Sequence, residues 1–117
     1  MVSMETFKTR QDWLAARRRR IGGSDAAAIL GLNPYKTNVQ LWEEKTGRRT
    51  APDISDLPYV KYGTEAEELL RELFKLDFPE YTVMYEEGNM WLNDAIPWGH
   101  ASLDGWLLDI SGNWGIW

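Results

Sequence analysis

The sequence predicts an α/β or α+β fold, with N-terminal helices and one long helix packed on a mixed or antiparallel sheet. Helix caps and helical periodicity occupy most of residues 9–76, and the pattern becomes strand-like after Pro79. The chain has 117 residues, of which 44% are hydrophobic, including seven tryptophans. That length and composition suit one domain with one core.

Capping signals delimit the first two helices. Thr9, followed by Asp12 at the third position, predicts a capping box at the start of the first helix. Ser24 is the predicted N-cap residue of a second helix that runs to Leu30. Gly31 is its predicted C-cap residue, because glycine adopts the left-handed conformation that ends many helices.

A third helix and a long fourth helix follow. Thr37 or Asn38 is predicted to cap the third helix, which runs to Gly47. Residues 48–58 are polar and predict a loop, and helical periodicity returns over 59–76. The predicted core stripe of the long helix consists of Ala66, Leu69, Leu70, Leu73 and Phe74, and its predicted solvent side consists of Glu68, Arg71, Glu72 and Lys75.

Two β-hairpins are predicted after Pro79. The predicted strands are residues 82–86, 90–92, 101–108 and 114–117, joined in pairs by Glu87-Gly88-Asn89 and by Ser111-Gly112-Asn113. Alternation along residues 101–108 predicts that Ser102, Asp104 and Trp106 share one face.

Composition limits the chemistry that the chain can carry. The net charge of −5 argues against a protein that coats nucleic acid without specificity. The sequence contains no cysteine, which excludes disulfides and thiolate metal sites, and His100 is the only imidazole. Oxygen ligands favour Mg²⁺ or Mn²⁺ over Zn²⁺. No signal peptide or membrane span is recognisable, and we expect a cytoplasmic protein.

The segment Arg17–Leu32, RRRRIGGSDAAAILGL, combines four arginines, a Gly-Gly turn and a predicted helix start at Ser24. Arginines beside a helix N-terminus favour binding of an anion such as phosphate. Arginines are also favoured in a last helical turn for structural reasons alone. Successive helical residues point about 100° apart, so at most two of the four arginines can face one site.

Carboxylates are the other candidates. Glu65 and Glu67 lie on opposite borders of the core stripe, and periodicity does not choose between them. Asp104 precedes Gly105 and is interpreted either as a hairpin-turn residue or as an aspartate inside a strand, where metal coordination would offset the cost of its burial. His100 is interpreted as a structural residue rather than a ligand.

Three segments together carry a resemblance to a known family. RRRRIGGSDAAAILGLNPYKTNVQLWEEKTG, KYGTEAEELLRELF and HASLDGWL occur in this order, and the chain from about Trp13 onward resembles the YqaJ-like viral recombinase family. That family is similar to lambda-type exonuclease within the PD-(D/E)XK nuclease superfamily. The resemblance implies a restriction-endonuclease-like core and a Mg²⁺- or Mn²⁺-dependent deoxyribonuclease.

The resemblance also implies roles for individual residues. The metal-binding aspartate of the family's SxDG motif matches Asp104, and its helical glutamate, four residues after the glycine of Tyr-Gly, matches Glu67. An arginine and a serine seven residues apart hold the DNA 5′-phosphate in lambda-type enzymes, and Arg17 and Ser24 match them. Ser102 matches a serine that lies near the phosphate.

One part of the family signature is missing from this sequence. A Glu-x-Lys motif follows the aspartate in the family, whereas none occurs from Asp104 to Trp117. We therefore expect residues 1–117 to be a single partial nuclease domain, truncated before this motif. The expected metal binding is weak or absent, and the expected cutting by this chain alone is very weak.

Three hypotheses for function follow. The leading one is the N-terminal part of a bacterial or phage-encoded, Mg²⁺-dependent 5′→3′ DNA exonuclease used in recombination. Its expected partners are double-stranded DNA ends, with a single-strand annealing protein and further copies of the chain as candidates, and no membrane. The second is a non-catalytic DNA-end or protein-binding remnant of such a nuclease. The third is a misfolded or domain-swapped fragment that pairs through the strand of Trp114 and Trp117.

Overall fold

A computed structural model describes all residues, 1–117, and confirms the α+β class. The helices are α1 (Arg10–Arg18), α2 (Ala26–Ile29), α3 (Asn38–Lys45) and α4 (Pro58–Asp77). The strands are β1 (Val2–Thr6), β2 (Thr82–Met84), β3 (Asn89–Asn93), β4 (Trp106–Leu108) and β5 (Trp114–Ile116). A helix with the length and hydropathy needed to span a bilayer is not found among them.

The chain divides into two compact units that differ in charge. One unit comprises Met1–Ala51 and Glu87–Ser102, and it carries ten basic and seven acidic residues, a net charge of +3. The other comprises Pro52–Glu86 and Leu103–Trp117, with three basic and eleven acidic residues, a net charge of −8. We call them the basic unit and the acidic unit. Although the whole chain has a net charge of −5, the positive charge of the basic unit favours an anionic ligand.

The sheet of the basic unit pairs β1 with β3 in antiparallel register, from Val2 opposite Asn93 to Thr6 opposite Asn89. The sequence analysis did not predict β1, and the predicted pairing of 82–86 with 90–92 is wrong. Gly88 makes the predicted turn with φ of 68°, but its carbonyl accepts a hydrogen bond from Phe7 N at 3.2 Å. The residues of this turn therefore extend the pairing of β3 with β1, and not a pairing with β2.

The first helix begins as predicted, and the second does not. Thr9 Oγ1 accepts a hydrogen bond from Asp12 N at 3.1 Å at the start of α1. The predicted N-cap role of Ser24 is wrong, because Gly22 precedes a 3₁₀ turn, Gly23–Asp25, and Gly22 N donates to Asp25 Oδ2 at 3.0 Å. The aspartate side chain satisfies that amide, and α2 itself has only four residues. A helix that short gives no significant dipole, so any anion site here must depend on side chains.

The C-terminus of α2 and the N-terminus of α3 agree with the predictions. Gly31 has a φ of 73°, and Leu32 N donates to Ala27 O at 2.8 Å, as in a Schellman motif. Thr37 Oγ1 accepts from Gln40 N at 3.1 Å while Gln40 Oε1 accepts from Thr37 N at 3.0 Å. This capping box confirms Thr37 as the cap of α3.

The acidic unit contains a three-stranded antiparallel sheet in the order β2-β4-β5. The hairpin of β4 and β5 confirms the second predicted hairpin, and Asp109 Oδ1 accepts from Ser111 N and Asn113 N, both at 2.8 Å, in its turn. Because β4 lies between two strands, Trp106 at its start is buried.

The predicted strand over 101–108 is wrong in its first half. Only residues 106–108 form β4, and Asp104 lies in a bend before it. Two carbonyls of this bend accept hydrogen bonds that are not part of a β-ladder. Arg71 Nη1 donates to Asp104 O at 2.9 Å, and Trp117 N donates to Gly105 O at 3.1 Å. The alternation that was to place Ser102 and Asp104 on one strand face therefore does not apply.

Helix α4 has the predicted length but not the predicted buried face. Of the stripe, Leu69 is 66% exposed and Leu73 is 56% exposed. The half-buried side includes Glu67, Arg71 and Phe74, and the Phe74 ring packs against other rings of the acidic unit. The placement of Arg71 on the solvent side was wrong, because its guanidinium packs over a tyrosine ring.

Candidate functional site

Arg17 and Ser24 form a pair in the basic unit. Arg17 Nη2 donates a hydrogen bond to Ser24 Oγ at 2.9 Å. Helix α1 supplies the arginine from its last turn, and the 3₁₀ turn supplies the serine. Trp13, one helical turn earlier, places its ring 4.5 Å from the Arg17 guanidinium carbon. This cation–π contact restricts the arginine side chain. The hydrogen bond shows that the two predicted phosphate-binding residues, seven positions apart, lie together.

Of the four consecutive arginines, Arg17 is the one that donates to Ser24. Arg18 and Arg19 are exposed, and Arg20 Nε donates weakly to Pro97 O at 3.4 Å. The helix ends at Arg18, so Arg19 and Arg20 lie beyond its last turn. The limit of two arginines at one site is respected.

Lys45 ties together the backbone around this pair. Its Nζ donates to the carbonyls of Arg17 and Arg20, both at 2.8 Å, and lies 3.0 Å from Asp25 Oδ2. Burial acts to raise the pKa of Asp25, but the hydrogen bonds from Gly22 N and Lys45 outweigh it and hold that pKa below its usual value. Asp25 is thus an ionised, buried carboxylate.

His100 packs beneath the Gly-Gly turn. A Cβ atom at Gly22 would lie 2.6 Å from His100 Cε1 and 2.7 Å from Nε2. Both ring nitrogens are buried, and neither has a hydrogen-bond partner. Burial lowers the pKa of His100, and the positive charges of Arg17 and Lys45 lower it further. The imidazole is therefore neutral at physiological pH.

Glu67 and Asp104 come together in the acidic unit. Burial raises the pKa of Glu67, the negative charge of Asp104 raises it further, and Arg71 opposes the shift. Glu67 is half-buried, whereas Glu65 is exposed. The structure thus favours Glu67 over Glu65 as the partner of Asp104, which lies exposed in the bend before β4.

Arg71 interacts with both residues of this pair. Its guanidinium carbon lies 3.9 Å from the centroid of the Tyr85 ring, and Nη1 donates to Asp104 O at 2.9 Å. Arg71 follows Glu67 by one helical turn, and its positive charge acts to lower the pKa of Glu67. The same guanidinium contacts the backbone of Asp104.

No group of three or more histidine, aspartate or glutamate side chains in residues 1–117 is arranged to hold a metal ion. Two carboxylates remain, Glu67 and Asp104, and their mutual repulsion is of the kind that a cation would relieve. Mg²⁺ is commonly held by one or two carboxylates together with water. If a divalent cation binds in this unit, Glu67 and Asp104 are the residues that would hold it.

Ser102 lies at the end of the basic unit, and its side chain is exposed. It follows Ala101, whose amide donates to Trp91 O at 3.0 Å and whose carbonyl accepts from Trp91 N at 2.7 Å. This bridge fixes the backbone immediately before Ser102.

The sequence analysis missed three residues of these sites, namely Trp13, Lys45 and Arg71. Trp13 and Arg71 each lie one helical turn from a candidate, and this spacing is a signal that could have found them. Lys45 has no such local signal, because it is 28 residues from Arg17.

The YqaJ-like viral recombinase domain matches residues 12–112 of the chain. The chain belongs to this family. The match includes both pairs of candidate residues, and the family is one of the PD-(D/E)XK nucleases. Family membership therefore makes this chain part of a group of nucleases connected with recombination.

Curated relatives of the family cover parts of the chain. The uncharacterized protein YqaJ of Bacillus subtilis (strain 168) is 40% identical over 65% of this chain and 24% of its own length. Protein D345L of African swine fever virus (strain Badajoz 1971 Vero-adapted) is 47% identical over 36% of this chain and 15% of its own length. The chain thus spans a quarter or less of these relatives. No solved structure matches it significantly.

Proposed function

We propose that this chain is the end-recognition part of a Mg²⁺-dependent 5′→3′ DNA exonuclease used in recombination. Its ligand is the 5′-phosphate of a double-stranded DNA end. The observation that carries the proposal is the hydrogen bond of 2.9 Å between Arg17 and Ser24, with Arg17 stacked on Trp13.

The chemistry of this pair suits a terminal phosphate. A guanidinium presents five N–H donors in a planar fork, and a serine hydroxyl is both donor and acceptor. Burial lowers the pKa of Arg17 and Asp25 opposes that shift, yet an arginine stays protonated at neutral pH. The net charge of +3 on the basic unit adds a favourable field for DNA.

The carboxylate pair gives the proposal its catalytic half. Glu67 and Asp104 would hold the metal ion, and a bound Mg²⁺ supplies a Lewis acid that lowers the pKa of a coordinated water. Glu67 must be ionised to bind the cation, and Arg71 favours that form. Arg71 also fixes the backbone of Asp104 through its carbonyl.

Recognition of the phosphate by Arg17 and Ser24 does not depend on the metal-binding carboxylates, so binding is the activity to measure first.

The partners and location belong to the same proposal. A 5′→3′ exonuclease acting on duplex ends leaves a 3′-ended single strand, which a single-strand annealing protein would bind. Both steps occur where the DNA is, in the cytoplasm of a bacterial cell, and further copies of the chain are candidate partners.

Binding to two blunt duplexes that differ only at the 5′ end, phosphate or hydroxyl, tests the proposal. Fluorescence anisotropy in EDTA is expected to show tighter binding of the phosphorylated duplex. Arg17→Ala should remove roughly tenfold to a hundredfold of that preference, the value of a charged hydrogen bond. Arg18→Ala, which removes an exposed arginine from the same helical turn, is the matched control. Equal affinity of the native chain for both duplexes contradicts the proposal.

The second candidate function is DNA-end binding without catalysis, which the Arg17–Ser24 pair supports without any contribution from the carboxylates. Incubation of the chain with linear 5′-phosphorylated duplex and Mn²⁺ separates the two. Slow degradation that Asp104→Asn abolishes supports the exonuclease. A 5′-phosphate preference with no degradation in either variant supports the binding module.

A further inference from the structure

The Lys45 side chain contacts the backbone at the end of α1 and the side chain of Asp25 in the 3₁₀ turn, the two elements that carry Arg17 and Ser24. It lies at the end of α3. Its contacts with Asp25, Arg20 and Arg17 span 20, 25 and 28 positions of the sequence. Its ammonium touches the Arg17 carbonyl on one side and the carboxylate of Asp25, the neighbour of Ser24, on the other.

A lysine ammonium has three N–H donors in a tetrahedral arrangement. At Lys45, three acceptors lie within hydrogen-bonding distance: Arg17 O and Arg20 O at 2.8 Å and Asp25 Oδ2 at 3.0 Å. With all three donors used inside the protein, this ammonium has no proton left for a phosphate oxygen. Its role must therefore be different from that of Arg17.

Asp25 connects Lys45 to the Gly-Gly turn. Its Oδ2 also accepts from Gly22 N at 3.0 Å, so one carboxylate joins Lys45 to the Gly-Gly turn that precedes Ser24. The Asp25 side chain is only 12% exposed and that of Lys45 is 21% exposed, which shields their ion pair from solvent.

We propose that Lys45 is a positioning residue for 5′-phosphate recognition, which fixes the spacing of Arg17 and Ser24 through the Arg17 carbonyl and Asp25. This inference rests on the proposed function, because it assigns the pair its ligand. Without the ammonium, the end of α1 and the 3₁₀ turn lose their common contact, and the two phosphate-binding groups no longer keep one geometry.

The experiment compares Lys45→Met with Lys36→Met in the 117-residue chain. Lys36 forms the other shielded ion pair of the basic unit, with Glu44 at 2.7 Å, and it contacts neither Arg17 nor Ser24. The readout is the ratio of affinities for 5′-phosphate and 5′-hydroxyl duplexes, together with the melting temperature. Lys45→Met is expected to lower the ratio about tenfold, as removal of a residue that orients a ligand-binding group typically does. Lys36→Met should keep the native ratio even if its melting temperature falls equally.

A double-mutant cycle separates positioning from direct contact. If Lys45 acts only by positioning Arg17 and Ser24, then Arg17→Ala/Ser24→Ala and the same variant with Lys45→Met added have the same affinity ratio. A further loss on adding Lys45→Met would mean that the ammonium contacts the phosphate itself, and it would overturn the inference.

Lys45→Met leaves the Asp25 charge uncompensated and can prevent folding. The pair Lys45→Met/Asp25→Asn removes both charges and serves as the second variant, for which the same loss of preference is expected. A folded Lys45→Met or paired variant with the native ratio overturns the inference while leaving the proposed function intact, provided Arg17→Ala loses the preference. A native chain that does not distinguish the two duplexes refutes both.

Discussion

Arg71 donates a hydrogen bond of 2.9 Å to the main-chain carbonyl of Asp104, 33 residues further along the chain. The same side chain lies over the ring of Tyr85, at 3.9 Å. Through this one guanidinium, the long helix α4 is joined to the bend before β4. The contact explains how Glu67 and Asp104 come to share an environment although no strand carries the aspartate.

Replacement of Arg71 by alanine is expected to destabilise the protein and to shift the titration of Glu67. The Asp104 carbonyl loses its donor, and because this hydrogen bond is exposed the cost should be about 0.5–1.5 kcal/mol. The pKa of Glu67, which Arg71 lowers, should rise further. Urea unfolding measures the first effect, and NMR of the Glu67 side-chain carboxyl measures the second. Lys75→Ala, which removes an exposed pair with Glu72 on the same helix, should change stability by no more than about 0.5 kcal/mol.

Glu67→Gln is expected to stabilise the metal-free protein at neutral pH. Because folding raises the pKa of Glu67, its stabilising contribution is complete at low pH, where the group is protonated, and is lost as the pH rises through the folded pKa. Glutamine carries no charge, so the gain at pH 7 should be up to about 1 kcal/mol and should disappear at low pH. Unfolding in urea with EDTA at both pH values measures it. A variant less stable than the native chain at pH 7 would contradict the assigned repulsion, and Glu65→Gln, at an exposed position, is the control.

Gly22→Ala and Gly23→Ala should differ although the residues are adjacent. A methyl group at Gly22 would meet the His100 ring at 2.6 Å, whereas nothing lies within 4 Å at Gly23. Overpacking of this kind costs about 1–3 kcal/mol, so the first variant should melt at a lower temperature and the second close to the native value. Differential scanning calorimetry decides the comparison. Equal melting temperatures would show that the imidazole moves aside without cost.

Thr37→Ala is expected to weaken α3, the helix that carries Lys45. The variant loses the acceptor for Gln40 N and with it half of the capping box, at about 1 kcal/mol. Asn38→Ala, one residue further along, removes no cap and should have a smaller effect. Thermal unfolding followed by circular dichroism compares the two variants.

Local chemistry determined the parts of the fold that the sequence predicted correctly. Thr9, Gly31 and Thr37 end or begin helices because a side-chain acceptor or a left-handed glycine satisfies amides and carbonyls within the same few residues. The spacing of Arg17 and Ser24 also depends on one short segment, and the structure brings the two together. The family resemblance, carried by contiguous motifs, is confirmed by the match over residues 12–112.

The wrong predictions share a different cause. Ser24 is not an N-cap residue because it lies inside a 3₁₀ turn, Gly23–Asp25, whose N-cap residue is Gly22. The segment before β4 is a bend whose carbonyls bond to Arg71 and Trp117 N. The pairing of β3 with β1 joins residues that are 83 to 91 positions apart in the sequence.

The sequence by itself therefore determined the caps, the long helix, the second hairpin and the identity of the candidate residues. Only the tertiary structure decided which strand pairs with β3, which face of α4 is covered, and that Lys45 and Arg71 fix the two candidate pairs. The physical reason is distance along the chain. Periodicity and capping act within one or two turns, whereas a lysine bonded to a carbonyl 28 residues away depends on how the whole unit packs.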